Sequence, residues 1–122
     1  MPQPLPATTA ARAAAAEASI ELDSGRLHFR AGQLAEARAA TERALARVQG
    51  QAMPLLRARI EFQLGGLLGH AGEPERALAL WQSAEEVLAA GDQQGQVLLR
   101  ARLAMNRGAA NADLGRHDAA AA

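Results

Sequence analysis

The sequence predicts an all-α fold built from paired helices, on three observations. Alanine, the residue with the highest helix propensity, makes up about a quarter of the 122 residues, whereas Val, Ile and Thr are scarce. Glycine and proline divide the chain into segments of helical length. A stretch near the middle of the chain returns 43 residues later. These features disfavour a β-sheet and favour helices that pack closely.

Glycine and proline also predict where each helix begins and ends. We expect Gly32, Gly50 and Gly72 to lie in turns, because glycine adopts the left-handed backbone conformation that ends a helix. Prolines occupy the first turn of the third and fourth helices, where they are tolerated. Gly115 is expected to end the fifth helix, with a sixth beginning near His117. The five predicted helices span residues 10–30, 34–49, 54–70, 74–90 and 94–114.

Charge and cysteine content exclude several classes of protein. The 13 basic residues, all arginine, balance 13 acidic ones, so no overall field attracts the chain to nucleic acid or to an anionic membrane. Because the chain contains no cysteine, it has no disulfide framework, thiol nucleophile or cysteine-based zinc site. Its length fits one domain. We therefore expect neither nucleic acid nor a membrane as a partner.

The N-terminus predicts a short arm and no targeting signal. Residues 1–9 contain three prolines and are expected to be disordered, which leaves residues 10–122 as a single domain. The alanine-rich stretch that follows is interrupted by Glu17 and resembles a helix start more than a secretory signal. No apolar run approaches the roughly 18 residues that a membrane span needs. We expect a soluble, cytoplasmic protein.

An internal repeat supports the paired-helix architecture. The segment LLRARIEFQLGG, from Leu55, returns as LLRARLAMNRGA, from Leu98, and a weaker copy lies about 40 residues before the first. Each copy has a small residue, a turn glycine seven residues later and an alanine five residues after that. The small residue lets the second helix of a pair approach closely, and the glycine reverses the chain. The three sets are Gly25, Gly32, Ala37; Gly65, Gly72, Ala77; and Gly108, Gly115, Ala120.

At these positions the sequence resembles the tetratricopeptide repeat family. The second copy fits best, with Leu64-Gly65, Leu68, Gly72, Ala77, Trp81 and Ala84. The first copy departs from the family pattern at Ser24, His28 and Thr41, and the third stops after Ala120. The repeats span residues 18–51, 58–91 and an incomplete 101–122, and they are longer than the usual length of about 34 residues. The resemblance implies a solenoid of two full antiparallel helix pairs plus a partial third.

The apolar pattern predicts an inward face that recurs from pair to pair. Ile20, Leu27 and Leu34 of the first pair are spaced seven residues apart, as are their counterparts in the second pair. Those counterparts are Ile60, Leu67 and Pro74. We expect both sets to be buried.

The incomplete third pair predicts an apolar face without full cover. Leu99, Leu103 and Met105 lie on the helix whose return partner is missing. Solenoid repeats are stabilised chiefly by their neighbours, so such a face rarely stays exposed to water. Either another copy of the chain covers it or the chain is part of a longer array. Of the two, we expect a homo-oligomer.

Catalytic chemistry is not predicted. The three histidines, His28, His70 and His117, fall in different repeats at different positions, so they do not form a metal site of the kind in which two histidines lie four residues apart on one helix. Glu73 and Glu75 flank a proline at a helix start, where negative charge is favourable. We expect no enzyme activity, no cofactor and no metal.

The resemblance implies a concave groove lined by the first helix of each pair. The family's groove positions correspond here to Leu22, Asp23, Arg26, Phe29, Arg30, Arg59, Phe62, Gln63, His70, Arg102, Met105, Asn106 and Asp113. Asn106 resembles the groove asparagine that holds a peptide backbone in peptide-binding members. The residues that we expect to contact a ligand are Arg26, Arg30, Arg59, Phe62, Gln63, Arg102, Met105 and Asn106.

Four arginines against two aspartates predict a locally basic groove. Because a guanidinium binds a carboxylate in bidentate fashion, the expected partner is a peptide or helix with acidic groups. The sequence therefore predicts a non-enzymatic protein-interaction module, an adaptor or chaperone-like protein. In one alternative the arginines form a solvated face paired with Glu61 and its neighbours. In another, the chain is a self-assembly scaffold that completes its third repeat with another copy.

Overall fold

A computed structural model of the chain describes residues 8–89 and 97–121, all of which belong to helices or to the turns and caps that flank them. The helices are α1 (Thr9–Arg30), α2 (Leu34–Val48), α3 (Pro54–His70), α4 (Pro74–Ala89) and α5 (Val97–Ala121). No strand occurs in these ranges, so the predicted all-α class is confirmed. Of the helices described, none combines the length and the apolar character needed to cross a membrane.

Local chemistry explains the helix ends. The Oγ1 of Thr8 accepts a hydrogen bond from the backbone N–H of Ala11 at 3.0 Å, and this N-cap starts α1 one residue earlier than expected. Gly32, Gly50 and Gly72 have φ values of 77°, 73° and 79°, the left-handed conformation that the predicted turns require. The first four helices therefore match their predicted ranges to within one residue at each end.

The predicted turn at Gly115 is wrong. Helix α5 continues through Gly115 to Ala121, so the expected sixth helix near His117 does not form. A glycine inside a helix costs about 1 kcal/mol relative to alanine, which weakens a helix without ending it. The third repeat is thus one long helix instead of a partial pair. The side chains of Leu99, Asp113 and His117 lie outside the part of the chain that the structure describes.

Each helix packs on the next one along the chain. Helix α1 packs against α2 and α3 against α4, while α2 contacts α3 and α4 contacts α5. The first helices of successive repeats also meet, α1 with α3 and α3 with α5. One buried cluster joins the first pair to α3 through Ala18, Leu22, Ala44, Val48, Met53 and Ile60. A second joins α3, α4 and α5 through Ala58, Leu64, Leu68, Ala77, Trp81, Ala84, Leu88 and Leu103.

The helices of a pair approach most closely at the predicted small residues. A Cβ placed on Gly25 would lie 2.5 Å from the Oγ1 of Thr41, so only glycine fits there. On Gly65 a Cβ would overlap the indole ring of Trp81, whose Nε1 donates a hydrogen bond to the carbonyl of Phe62 at 3.2 Å. The spacing role predicted for these two glycines is confirmed. Gly108, which lacks a return helix, has nothing within 4 Å of the same position.

The expected burial of the inward face holds only partly. Ile60 and Leu67 are buried, whereas their counterparts Ile20 and Leu27 are 68% and 65% exposed, and Leu34 is also exposed. Ile60 is covered by residues of the preceding helix pair. In the described part of the chain no helix precedes α1, so the same face of the first pair has nothing to pack against.

Glu61 is a buried carboxyl group in the second pair. It is 3% exposed, and the Nε of Arg57 lies 3.7 Å from its Oε1. Burial raises the pKa of Glu61, and a hydrogen bond with Ser83 and the charge of Arg57 offset this effect only in part. Its Oε1 has no hydrogen-bond partner, so the carboxylate form is poorly stabilised.

We predict opposite effects of alanine at Gly65 and at Gly108. Gly65→Ala should lower the free energy of unfolding by about 1–3 kcal/mol, because the new Cβ would displace the ring of Trp81. Gly108→Ala should raise it by about 0.5–1 kcal/mol, because alanine favours the helix and the space is open. Urea unfolding followed by circular dichroism measures both. Equal effects of the two substitutions would contradict the proposed contact.

We also predict that Glu61→Gln stabilises the protein at neutral pH. The raised pKa means that the folded chain keeps this proton to a higher pH than the unfolded chain, so wild-type stability falls as pH rises above the ordinary value of 4.5. The gain from glutamine should therefore disappear in acid. Thermal unfolding of both proteins across this pH range tests the prediction, with Glu36→Gln on an exposed site as control. A gain that grows towards acid pH would contradict it.

Candidate functional site

A cavity of about 550 Å³ lies along α1, α3 and α5, the first helices of the three repeats. We call this cavity the groove. Its polar lining consists of Arg26, Arg30, Arg59, Gln63, His70, Arg102 and Asn106. Phe29, Leu55, Phe62 and Leu67 supply its apolar lining, beside Gly66.

The groove brings together seven of the eight residues predicted to contact a ligand. The exception is Met105, whose side chain is 74% exposed and is not part of the lining. Two further residues suggested by the family resemblance also lie elsewhere. Leu22 is buried in the cluster that receives Ile60, because it lies on the face of α1 turned towards the core. Asp23 is exposed but does not line the groove.

The groove arginines differ from the other described arginines in their partners. Six arginines outside the lining form ion pairs with glutamates, namely Arg38, Arg43, Arg47, Arg57, Arg76 and Arg107. Among the described residues no ion pair involves Arg26, Arg30, Arg59 or Arg102, and the groove lining contains no carboxylate. The groove therefore concentrates positive charge on a chain whose net charge is zero.

The alternative pairing of groove arginines with Glu61 is not observed. Glu61 faces Arg57, which precedes the groove residue Arg59 by two positions and so points to another side of α3. Spacing along the sequence did not distinguish the two arginines. The two arginines lie on different sides of α3. Arg57 faces Glu61 within the second helix pair, whereas Arg59 lines the groove.

Gln63 has a structural role that sequence reasoning missed. Its Nε2 donates hydrogen bonds to the carbonyl of Leu22 at 3.1 Å and to the Oγ1 of Thr41 at 2.9 Å. These bonds connect α3 to both helices of the first pair. The amide nitrogen is therefore occupied, and only the amide oxygen of Gln63 is free of these bonds.

His28 and His70 each contact a neighbouring side chain. The rings of His70 and Phe29 are 5.1 Å apart and tilted by 60°, which links the ends of α3 and α1 at one end of the groove. The Nδ1 of His28 lies 2.6 Å from the Oε1 of Gln33, at the turn after α1. The described residues contain no group of three or more side chains positioned to hold a metal ion.

The chemistry available in the groove is anion binding beside an apolar surface. Guanidinium groups present planar pairs of donors that match a carboxylate, and Phe62 with Leu55 offers contact area for aliphatic side chains.

Comparison with family models, with curated protein sequences and with solved structures finds no match to this chain. The tetratricopeptide resemblance therefore remains a prediction that depends on the repeat frame.

We predict that Gln63→Ala destabilises the fold and that Asn106→Ala, at the equivalent position one repeat later, does not. Removing Gln63 breaks two hydrogen bonds, at a cost of about 1–2 kcal/mol. Asn106 makes no such bonds, so its loss should change stability by less than about 0.5 kcal/mol. Chemical denaturation of both variants measures the difference. Equal stability of the two variants would contradict the role assigned to Gln63.

Proposed function

We propose that this chain is a non-enzymatic protein-interaction module of the tetratricopeptide type that binds an acidic peptide segment or helix in its groove. The observation that carries this proposal is the set of four groove arginines without a carboxylate partner among the described residues. An adaptor or chaperone-like role in the cytoplasm follows from the same proposal, because such modules act by holding segments of other proteins.

Unpaired arginines in a concave surface favour an anionic partner. Like charges brought together on one surface repel one another, and an incoming carboxylate relieves that repulsion. Six described arginines outside the groove already have glutamate partners, so they gain less from a ligand. A carboxylate-bearing segment thus interacts more favourably with the groove than with the remaining surface.

The apolar lining favours a protein segment over a nucleic acid. Phe62, Leu55 and Leu67 line the groove beside the arginines, a combination that suits alternating acidic and aliphatic side chains. Nucleic-acid-binding surfaces combine a strongly basic chain with stacking aromatics, whereas this chain is neutral and only 2% aromatic. Asn106 adds an amide that can bond to a peptide backbone.

We predict that the double variant Arg59→Glu, Arg102→Glu loses partner binding without unfolding. Both side chains are exposed and make no ion pair in the described structure, so reversing their charge should leave the fold intact. The control is Arg43→Glu, Arg76→Glu, which changes net charge equally but lies outside the groove. Each protein would be used as bait in a lysate of the source organism, with bound proteins identified by mass spectrometry.

Binding of a synthetic peptide of known sequence provides a second test of the proposal. A labelled peptide of alternating glutamate and leucine should bind the wild type and the control, more weakly at high salt because ionic contacts are screened. A matching peptide of lysine and leucine should not bind. Equal affinity of the groove variant and the control for the acidic peptide would overturn the proposal.

A further inference from the structure

One position of the repeat carries a branched aliphatic side chain in all three copies. This side chain is buried in the second and third copies and exposed in the first. Ile60 and Leu103 lie 43 residues apart on α3 and α5, and both are fully buried. Ile20 lies 40 residues before Ile60 on α1, with the same kind of side chain, yet it is 68% exposed. Among the described residues, a helix pair precedes Ile60 and another precedes Leu103, whereas none precedes Ile20.

The two buried copies are covered in the same way. Ile60 contacts a cluster that includes Ala18 and Leu22 of α1 with Ala44 and Val48 of α2. Leu103 belongs to a cluster with Ala58 of α3 and with Ala84 and Leu88 of α4, the equivalent positions one repeat later. We call this contact between successive repeats the joint. Each joint packs a branched aliphatic side chain against alanines and aliphatic side chains of the preceding helix pair.

Two exposed surfaces correspond to the two sides of this joint, one on the first helix pair and one on α5. The front face consists of the exposed side chains of Ile20 and Leu27 on α1 and of Leu34 at the start of α2. Helix α5 exposes Ala101 and Met105, which occupy the repeat positions of Ala18 and Leu22, and these two residues form the back face. Beside the back face a hollow of about 620 Å³ opens between α4 and α5, lined in part by Ala101, Ala104 and Arg107.

We propose that the front face of one copy of this chain docks on the back face of another. The contact would continue, between molecules, the packing by which Ile60 and Leu103 join successive repeats within the molecule. Because the two faces differ, the interface is heterologous, and repeated docking builds head-to-tail assemblies larger than dimers. This inference does not rest on the proposed peptide binding, since neither face includes a groove arginine.

A second copy fits the two faces better than an unrelated protein does. The front face carries large aliphatic side chains, whereas the back face carries an alanine and a flexible methionine that can accept them. The chain forms this joint twice internally, and Ala101 and Met105 occupy the repeat positions of Ala18 and Leu22, the first-helix half of the side that receives Ile60.

Sedimentation equilibrium over protein concentrations from about 10 μM to about 1 mM tests the proposal, since weak apolar interfaces associate in this range. The wild type should exceed the mass of a dimer at the upper end, with little effect of salt. The front variant Ile20→Glu, Leu27→Glu and the back variant Ala101→Glu, Met105→Glu should each remain monomeric. The control variant Ala39→Glu, Ala79→Glu adds the same charge at exposed sites away from both faces and should associate like the wild type.

Mixing distinguishes head-to-tail from symmetric contacts. The front variant keeps an intact back face and the back variant an intact front face, so an equimolar mixture should form dimers and nothing larger. A monomeric wild type at the highest concentration would overturn the proposal, as would a back variant that associates like the wild type.

Disulfide trapping checks the register. The chain has no cysteine of its own, so single cysteines can be introduced cleanly. Ile20→Cys mixed with Met105→Cys should give a crosslinked dimer under mild oxidation, because Ile60 and Leu22, the equivalent residues within the molecule, belong to one buried cluster. Crosslinking of Ile20→Cys with itself, at a level equal to the mixed pair, would instead indicate a symmetric front-to-front dimer and overturn the head-to-tail arrangement.

Discussion

The close approach of paired helices at Gly25 and Gly65 is the constraint on which the rest of the structure depends. Without a side chain at these positions, Thr41 and Trp81 lie directly against the backbone of the partner helix. That contact sets the distance between α1 and α2 and between α3 and α4. It also directs the opposite faces of α1 and α3 towards one another, where they line the groove together with α5. Helix α5 is held against α3 and α4 by contacts such as that of Leu103.

The same packing places glutamate and arginine side chains on different surfaces of a chain whose net charge is zero. Glu21 pairs with Arg43 and Arg47 across the first helix pair, and Glu61 lies inside the second. Glu21 therefore faces the return helix, while Arg26, Arg30, Arg59 and Arg102, on the first helices of the repeats, line the groove. Net charge, which is zero, conceals this separation. The positive charge of the groove is thus confined to one surface of a molecule that has no overall field.

Local signals in the sequence predicted where most of the helices begin and end. The features that the sequence did not predict depend on contacts with neighbouring helices. Gly32 and Gly72 form turns because their surroundings require a positive φ, whereas Gly115 has the same freedom and stays helical. The apolar period on α1 predicted burial of Ile20 and Leu27, but both are exposed, because the period alone does not show whether anything covers that face. Nine residues of the groove lining followed from the family resemblance, whereas Met105, which was predicted to contact a ligand, does not line the groove.

The most direct test of the account is the response of individual arginine side chains to an acidic ligand. The Nε–Hε signals of the arginines can be followed by nuclear magnetic resonance while the glutamate–leucine peptide is added. The account predicts shifts at Arg59, Arg102 and the other groove arginines, with the ion-paired Arg43 and Arg76 unchanged. Uniform small shifts across all arginines, or none in the groove, would contradict the claim that the groove is the anion-binding surface of this protein.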